Sequence, residues 1–557
     1  MPADLRQAPR GPRYAANDAV DFVIVGAGAA GSVVARQLAR AGFRLVVLEQ
    51  GPFLGTSDFK HDEIGVLNLH ALTNDFRVLP NSLQLGPAAA PRRTAAVLYG
   101  RVVGGGPVHF TANYWRFHEI DFIERSVRGA ISGTGFADWP ITYADLEPYY
   151  TMAEWELGVS GLAGASPFDP PRSKPYPLPP LPIKSSGVLF DRGAKKLGWH
   201  PFPAPMAILS KPYRGRSPCA QCGFCEGFGC EFGAKSSPLP TMIPQALATG
   251  KCEIRPGSYV RKIETDAAGR VTGVKYFDAS RKEIYQRAKA VVVCANGAET
   301  PKLLLMSKSN RFPDGLANSS GLVGRYFMPN GGAMVGGLFD HEVNGYKGAH
   351  VSRILHDFYE LDPKLGLQGG GGIDARWDLY PIGFGLFGLP LEGPQWGREW
   401  KRQLRQAFTR SLYALAHSTS LPIESNRVSL DPELKDAWGL PGIRLTYLDD
   451  PRDLALYQFF ADRSDELLQA AGATKTWRYP LETPFPANHL LGTCRMGNDP
   501  STSVTDKFHR AHDVPNLFLV SGASFVTSGR GQPTETIQAL AFRAGVEITR
   551  LAGEHAL

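Results

Sequence analysis

The sequence predicts an α/β protein in which a Rossmann-like domain, assembled from separated stretches of chain, is interleaved with an α+β part built on an antiparallel sheet. Three observations carry this expectation. An apolar run, Asp21-Phe-Val-Ile-Val25, leads straight into Gly26-Ala-Gly28-Ala-Ala-Gly31. Runs at 259–266, 271–278 and 283–288 alternate or stay apolar between turn signals and read as an antiparallel meander, after which an apolar strand at 290–294 returns to the first sheet. A last apolar strand, Leu517-Phe-Leu-Val520, precedes a helix whose stripe is Ile537, Leu540, Ala541, Ala544, Ile548 and Leu551.

Composition narrows the classes. The 557 residues suffice for two or three domains of ordinary size. Gly (61) and Pro (44) run somewhat high, which fits tight turns and close backbone approaches better than a low-complexity tail. The net charge of +7 is modest and its Lys and Arg residues are scattered, which argues against nucleic acid as a partner. No stretch approaches the roughly 18 consecutive apolar residues a membrane-spanning helix needs, so any membrane association would run through a partner. Residues 1–20 hold Arg6, Arg10 and Arg13 but no apolar core; they read as a disordered lead and not as a signal peptide.

In chain order, the first glycine turn sits in a telling context. After it, Ala30, Val34, Leu38 and Ala41 share one helical face, Arg36 and Arg40 point away, Gly42 stops the helix, and a strand at 45–48 ends on Glu49. This is the dinucleotide fingerprint. Gly26 and Gly28 permit the turn and close phosphate approach, Gly31 lets helix and strand pack, and Glu49 stands where an acid binds ribose hydroxyls. Further on, Thr142 caps a helix with Asp145 three residues behind it, and a proline-dense connection at 166–186 follows.

That connection delivers the chain to Cys219-Ala-Gln-Cys222-Gly-Phe-Cys225-Glu-Gly-Phe-Gly-Cys230, which holds four of the seven cysteines. Thiolates at this spacing, with Gly227 and Gly229 to let the backbone curl, suit an iron–sulphur cluster. The ferredoxin run differs by one residue in its last gap and by the place of its proline. Structural zinc and disulphides are the alternatives. Cys252 and Cys294 stand alone and read as small buried hydrophobes.

Two further segments complete the candidate chemistry. One is Tyr99-Gly-Arg-Val-Val-Gly104-Gly105-Gly106-Pro-Val-His109-Phe-Thr-Ala-Asn113; the other is Asn488-His489-Leu-Leu-Gly492-Thr-Cys494-Arg-Met496-Gly497. With Asn296-Gly297, Ser521-Gly522-Ala523 and Gly531-Gln532-Pro533-Thr534, they resemble the glucose-methanol-choline (GMC) oxidoreductases along nearly the whole chain, and in particular the catalytic subunits of bacterial gluconate, fructose and glucoside dehydrogenases. The resemblance implies a pyranose-oxidase-like fold and FAD, held by Gly26, Gly28, Gly31, Glu49, Gly104, Gly105, His109, Asn113, Val260, Gly297, Gly522, Ala523, Pro533 and Thr534. His109 matches the histidine that some relatives bond covalently to flavin and others merely pack beside it. His489 matches the histidine that takes the substrate's hydroxyl proton, a role imidazole suits because it titrates near neutrality. Gln532 replaces the usual Asn or His as the second catalytic group; it can hydrogen-bond but cannot act as a base.

The same likeness places a three- or four-iron cluster on Cys219, Cys222, Cys225 and Cys230. It further implies a sugar, glycoside or sugar acid as substrate, a cytochrome c-type or quinone-linked acceptor, and a small subunit whose export signal carries the enzyme to the periplasm; a choline or aliphatic alcohol dehydrogenase, or an oxygen-dependent pyranose-type oxidase, of the same fold is the alternative activity. A cytoplasmic enzyme is the alternative location. The expected FAD domain comprises 21–55, 90–130, 250–330 and 485–557; the substrate domain 56–89, 131–210 and 331–484; the cysteine segment 211–240.

Overall fold

The computed structural model describes residues 12–15, 17–67, 70–390 and 392–557. Of the expected disordered lead, residues 1–11 and 16 lie outside the described residues. Tyr14 is held firmly, a correction to that expectation: its backbone N donates to Glu253 Oε2 at 2.9 Å, its hydroxyl to Lys251 O at 3.0 Å, and Arg255 Nη2 donates to its carbonyl at 2.7 Å.

A seven-stranded sheet carries the first glycine turn. Cys252–Arg255, Leu45–Leu48, Val20–Val25, Glu283–Val293 and Leu517–Leu519 run parallel, in that order. Burial on both faces explains the unbroken apolar runs: Phe22 and Ile24 join one core cluster, Val23 and Val25 the other. The helices Ala29–Arg40 and Thr534–Gly553 cover the first of these faces.

The runs expected as two strands, at 283–288 and 290–294, form one. Its first half pairs antiparallel with Val271–Phe277, Gly273 opposite Arg287, and its second half pairs parallel with Val20–Val25, Val291 opposite Val23. The burial pattern changes along it from alternating to continuous, because the first half has one solvated face and the second has none.

The antiparallel part is a six-stranded sheet in the order Lys475–Arg478, Gly331–Leu338, Ser411–Ser418, Gly371–Arg376, Val351–Leu355, Phe202–Pro203. Side chains alternate between its faces. Ile373, Ala375, Leu412, Ala414 and Ala416 pack with Leu456, Tyr457 and Phe460 of the helix Pro451–Ala471. Register sets Arg376 against Tyr413, Asp374 against Leu415 and Gly372 against His417, so these six share the other face. That face closes over the dinucleotide turn.

Candidate active site

Between the glycine turn and the antiparallel sheet lies a cavity of about 1320 Å³. It is formed where two glycine segments meet. Gly105 has φ +61°, and a Cβ there would sit 2.6 Å from Gly28 Cα, so only glycine allows the two turns to touch. Behind them a Cβ on Gly31 would lie 1.9 Å from Gly26 O, which is why the helix can seat directly on the turn. Glu49 reaches the cavity wall with its Oε2 accepting from Ala27 N at 3.0 Å and its Oε1 from Gly51 N at 2.9 Å; burial raises its pKa. The chain thus offers what an FAD needs: a glycine cradle, an acid beside it, and the N-terminal turn of Thr534–Gly553 on the same wall.

The expected cofactor residues divide into two sets. Gly26, Gly28, Glu49, Gly105, His109, Val260, Gly522, Pro533 and Thr534 line the cavity. Gly31, Gly104, Asn113, Gly297 and Ala523 lie behind its wall. Gly297 is needed for packing, since a Cβ there would meet Leu490 O at 2.2 Å. Asn113 donates through Nδ2 to Asp374 Oδ2 at 2.9 Å, so its role is to hold a carboxylate. His109 Nε2 is buried without a hydrogen-bond partner, and burial, with Lys235 adding to it, pushes the imidazole down to about 4.

His489 lines the cavity, and its neighbours fix which nitrogen carries hydrogen. Nδ1 stands 3.2 Å from Asn330 Oδ1. The nitrogen end of the Asn330 amide faces three carbonyls, Ser418 O at 3.3 Å, Ser528 O at 3.1 Å and Gly529 O at 3.0 Å, so the amide cannot be turned round. Its oxygen therefore accepts from His489 Nδ1–H, and Nε2 keeps a bare lone pair. Burial, with His417 and Arg376 adding to it, pushes His489 down to about 3, so it rests neutral.

Beside it stands a group that sequence reasoning missed. Asp374 Oδ2 accepts from Asn113 and, at 3.0 Å, from Arg376 Nη2, and lies 2.9 Å from His417 Nε2. Burial alone would raise this carboxyl, but Arg376 and His417 outweigh it and hold its pKa below the ordinary value. Gln532 Nε2 lies 3.2 Å from each nitrogen of the His417 ring. In this arrangement the amide nitrogen is turned to His417. Period-two alternation over 371–376 and 411–418 was the available signal, but the glycine-rich and aromatic surroundings obscured it. Asn330 left none.

The expected cluster on Cys219, Cys222, Cys225 and Cys230 finds no support in the arrangement of the described residues. Among the described residues no group of three or more His, Cys, Asp or Glu is gathered to hold a metal ion. All four cysteines are free: Cys225 buried, Cys219 and Cys230 half-buried, Cys222 exposed. Burial pushes Cys219 up to about 11 and Cys225 up to about 12, so both rest as thiols that would have to lose a proton to ligate a metal. They nonetheless lie within one another's electrostatic reach.

A dinucleotide cradle facing a neutral imidazole with a free lone pair defines a cofactor-dependent oxidoreductase. Family models described as GMC oxidoreductase match residues 20–325 and 422–541. The chain belongs to the GMC oxidoreductase family, whose members bind FAD and act on CH–OH groups. It is 35% identical over 542 residues to 2-methyl-1,2-propanediol dehydrogenase of Mycolicibacterium austroafricanum, covering 96% of each chain. It is 30% identical to the gluconate 2-dehydrogenase flavoprotein of Pantoea cypripedii (94% of this chain, 92% of the relative). The large subunit of fructose dehydrogenase from Gluconobacter japonicus is 31% identical (94% and 96%). Among solved structures, formate oxidase of Aspergillus oryzae superposes with a TM-score of 0.64 at 15% identity, over 96% of this chain and 99% of that one. Pyridoxine 4-oxidase of Mesorbium loti gives 0.61 at 18%, over 95% and 99%.

Proposed function

We propose that this protein is a dehydrogenase that oxidises a hydroxyl of a sugar, glycoside, sugar acid or small polyol, with FAD as the hydride acceptor. The observation that carries this is His489, held by Asn330 with Nε2 free toward the cavity over the glycine cradle. FAD, when bound, takes the hydride released as the carbinol C–H bond breaks. The hydroxyl O–H breaks with it, its proton goes to His489 Nε2, and the C–O bond becomes C=O. Burial keeps His489 neutral before the reaction, so its Nε2 is open to receive the proton.

The external acceptor would be a carrier of cytochrome c or quinone type, and Cys219, Cys222, Cys225 and Cys230 would hold an iron–sulphur group that would supply one-electron transfer. Their mutual reach supports this reading, as does their place beside the cavity: Glu226, Gly227 and Phe228 line it, and Gly227 N donates to His109 O at 2.7 Å. A small export-signal-bearing subunit and a periplasmic location complete the proposal, tested by co-fractionation.

The test is an anaerobic visible spectrum before and after a panel of sugars, glycosides and 1,2-diols. Bleaching of the flavin is expected; a flavin that none of them reduces refutes the assignment. Iron and acid-labile sulphide in anaerobically prepared protein test the relay, which their joint absence overturns. Hydrogen peroxide formed in step with product would make the enzyme an oxidase instead.

A further inference from the structure

Beside the cavity the surface gathers basic and large apolar side chains in one place. The helix Gly397–Phe408 is divided along its length. Trp400, Leu404, Ala407 and Phe408, spaced i, i+4, i+7 and i+8, pack inward with Trp377 and Phe384. Arg398, Lys401, Arg402 and Arg405, spaced i, i+3, i+4 and i+7, form an exposed stripe on the opposite side. Arg402 is bonded to Glu399 at 3.0 and 2.7 Å, while Arg398, Lys401 and Arg405 have no carboxylate partner among the described residues. The chain before the helix supplies apolar side chains. Trp396, at the helix start, is 84% exposed, Leu386 62% and Phe387 59%. Leu386 and Phe387 belong to Phe384–Gly388, which lies against the same helix: a Cβ on Gly385 would stand 3.3 Å from Trp400 and 3.7 Å from Leu404. Glu63 fastens the preceding turn to the cavity wall, accepting from Ile382 N at 3.0 Å and from Gly383 N at 2.6 Å. Phe387 both lines the cavity and is exposed, so the patch begins where the cavity opens.

We propose that this patch docks directly on an anionic phospholipid bilayer, Trp396, Leu386 and Phe387 entering the headgroup layer and the basic stripe lying over lipid phosphates. Charge complementarity and shape argue for this occupant. Three unpaired cations attract an anionic surface, and apolar side chains that protrude beside them suit a bilayer, which needs no matching pocket. Glu392 and Glu399 are the acids in this stretch, and Glu399 is answered by Arg402. Among the described residues no helix is long and apolar enough to cross a membrane, and the attachment proposed is peripheral. It departs from the expectation that membrane association would run through a partner. It also goes beyond the proposed oxidation and is independent of the substrate: docking sets the mouth of the cavity against the layer in which a lipid-soluble quinone dissolves.

The test is co-sedimentation of the flavin-loaded protein with vesicles of phosphatidylcholine alone and of phosphatidylcholine mixed with phosphatidylglycerol. Binding to the mixed vesicles only is expected. A cation close to an anionic membrane is worth about fivefold in affinity, so Arg398→Gln, Lys401→Gln and Arg405→Gln together are expected to weaken that binding roughly 100-fold. Trp396→Ala is expected to weaken it about tenfold and to leave its salt dependence in place. Salt is expected to release the unmodified protein, because the screening length falls from about 10 Å at 0.1 M to about 3 Å at 1 M. All four substituted side chains are exposed, so flavin content and melting temperature are expected to hold in both variants, which separates lost docking from a lost fold. Equal binding to the two kinds of vesicle, no binding to either, or binding that both variants retain overturns the inference. Light scattering that shows a larger species, abolished by the same substitutions and without vesicle binding, would make the patch a contact between two copies and overturn it too. Each of these results leaves the proposed oxidation standing, since flavin bleaching by substrate is read in the absence of vesicles.

Discussion

Replacing Asn330 isolates what the tautomer of His489 is worth. Asn330 sits at φ +56°, so glycine is the substitution that removes the amide without adding backbone strain. Asn330→Gly deletes the acceptor at 3.2 Å that keeps hydrogen on Nδ1. A neutral hydrogen bond of this kind contributes about 0.5–1.5 kcal/mol, and without it the tautomer protonated on Nε2, which cannot accept the substrate's proton, becomes populated. The ring is also freed to rotate away from the substrate. The lower bound on the effect is the bond itself, about two- to 13-fold in rate; the upper bound is the whole value of a positioned base, about 10² to 10⁴. We therefore expect flavin reduction at saturating substrate to slow about 10- to 100-fold, with KM changed less than kcat. The three carbonyls that lose a donor lie close enough together for one water to serve them, so the fold should survive with a modest drop in melting temperature. Stopped-flow bleaching at matched flavin content is the assay. A rate within twofold of the unmodified protein refutes the tautomer argument, because it would mean that the imidazole keeps its useful form unaided.

His489→Ala should retain flavin and lose about 10² to 10⁴ in turnover, since it removes the base and leaves the cradle intact; near-normal turnover on any good substrate would dismiss the assignment. Buried neutral imidazoles also set an acid limit on stability. His109 is held near pKa 4, and His356, His489 and His509 near 3, all by burial first, so between about pH 6.5 and those values the unfolded chain binds protons that the folded chain does not. Stability therefore falls as pH drops through that window, by up to about 1.4 kcal/mol per pH unit for each ring, and a melting temperature constant from pH 7 to pH 4.5 would contradict this. Acid precipitation reports on His109: a yellow pellet that His109→Ala renders colourless would show a covalent flavin, and a colourless pellet from unmodified protein would exclude the bond.

The cradle was legible because its constraints are local. Glycines, an apolar strand before them and an acid after them are consecutive in sequence, and so are Gly104 to His109 and Gln532 to Thr534. His489 was legible only through its likeness to a family segment, since nothing in its neighbours' spacing reveals Asn330, 159 residues away in the chain. The strand at 371–376 hid its chemistry behind a glycine run, and the pairing of Asp374 with His417 exists only through sheet register. Asn113 misled for the complementary reason: it belongs to a cofactor-binding segment, yet its side chain turns away to Asp374. The cysteine spacing announced sulphur chemistry, but whether thiols converge depends on burial and on what they bind, which spacing does not record.

The alternation along Ser411–Ser418 separates two kinds of change that most chains entangle. Positions 412, 414 and 416 answer to the helix beneath them, while 413, 415 and 417 answer to whatever lies above. A library confined to 415 and 417, which line the cavity, would explore new specificities while the helix-facing positions stay in place, and lineages diverging from this scaffold could drift in substrate without first having to renegotiate their fold.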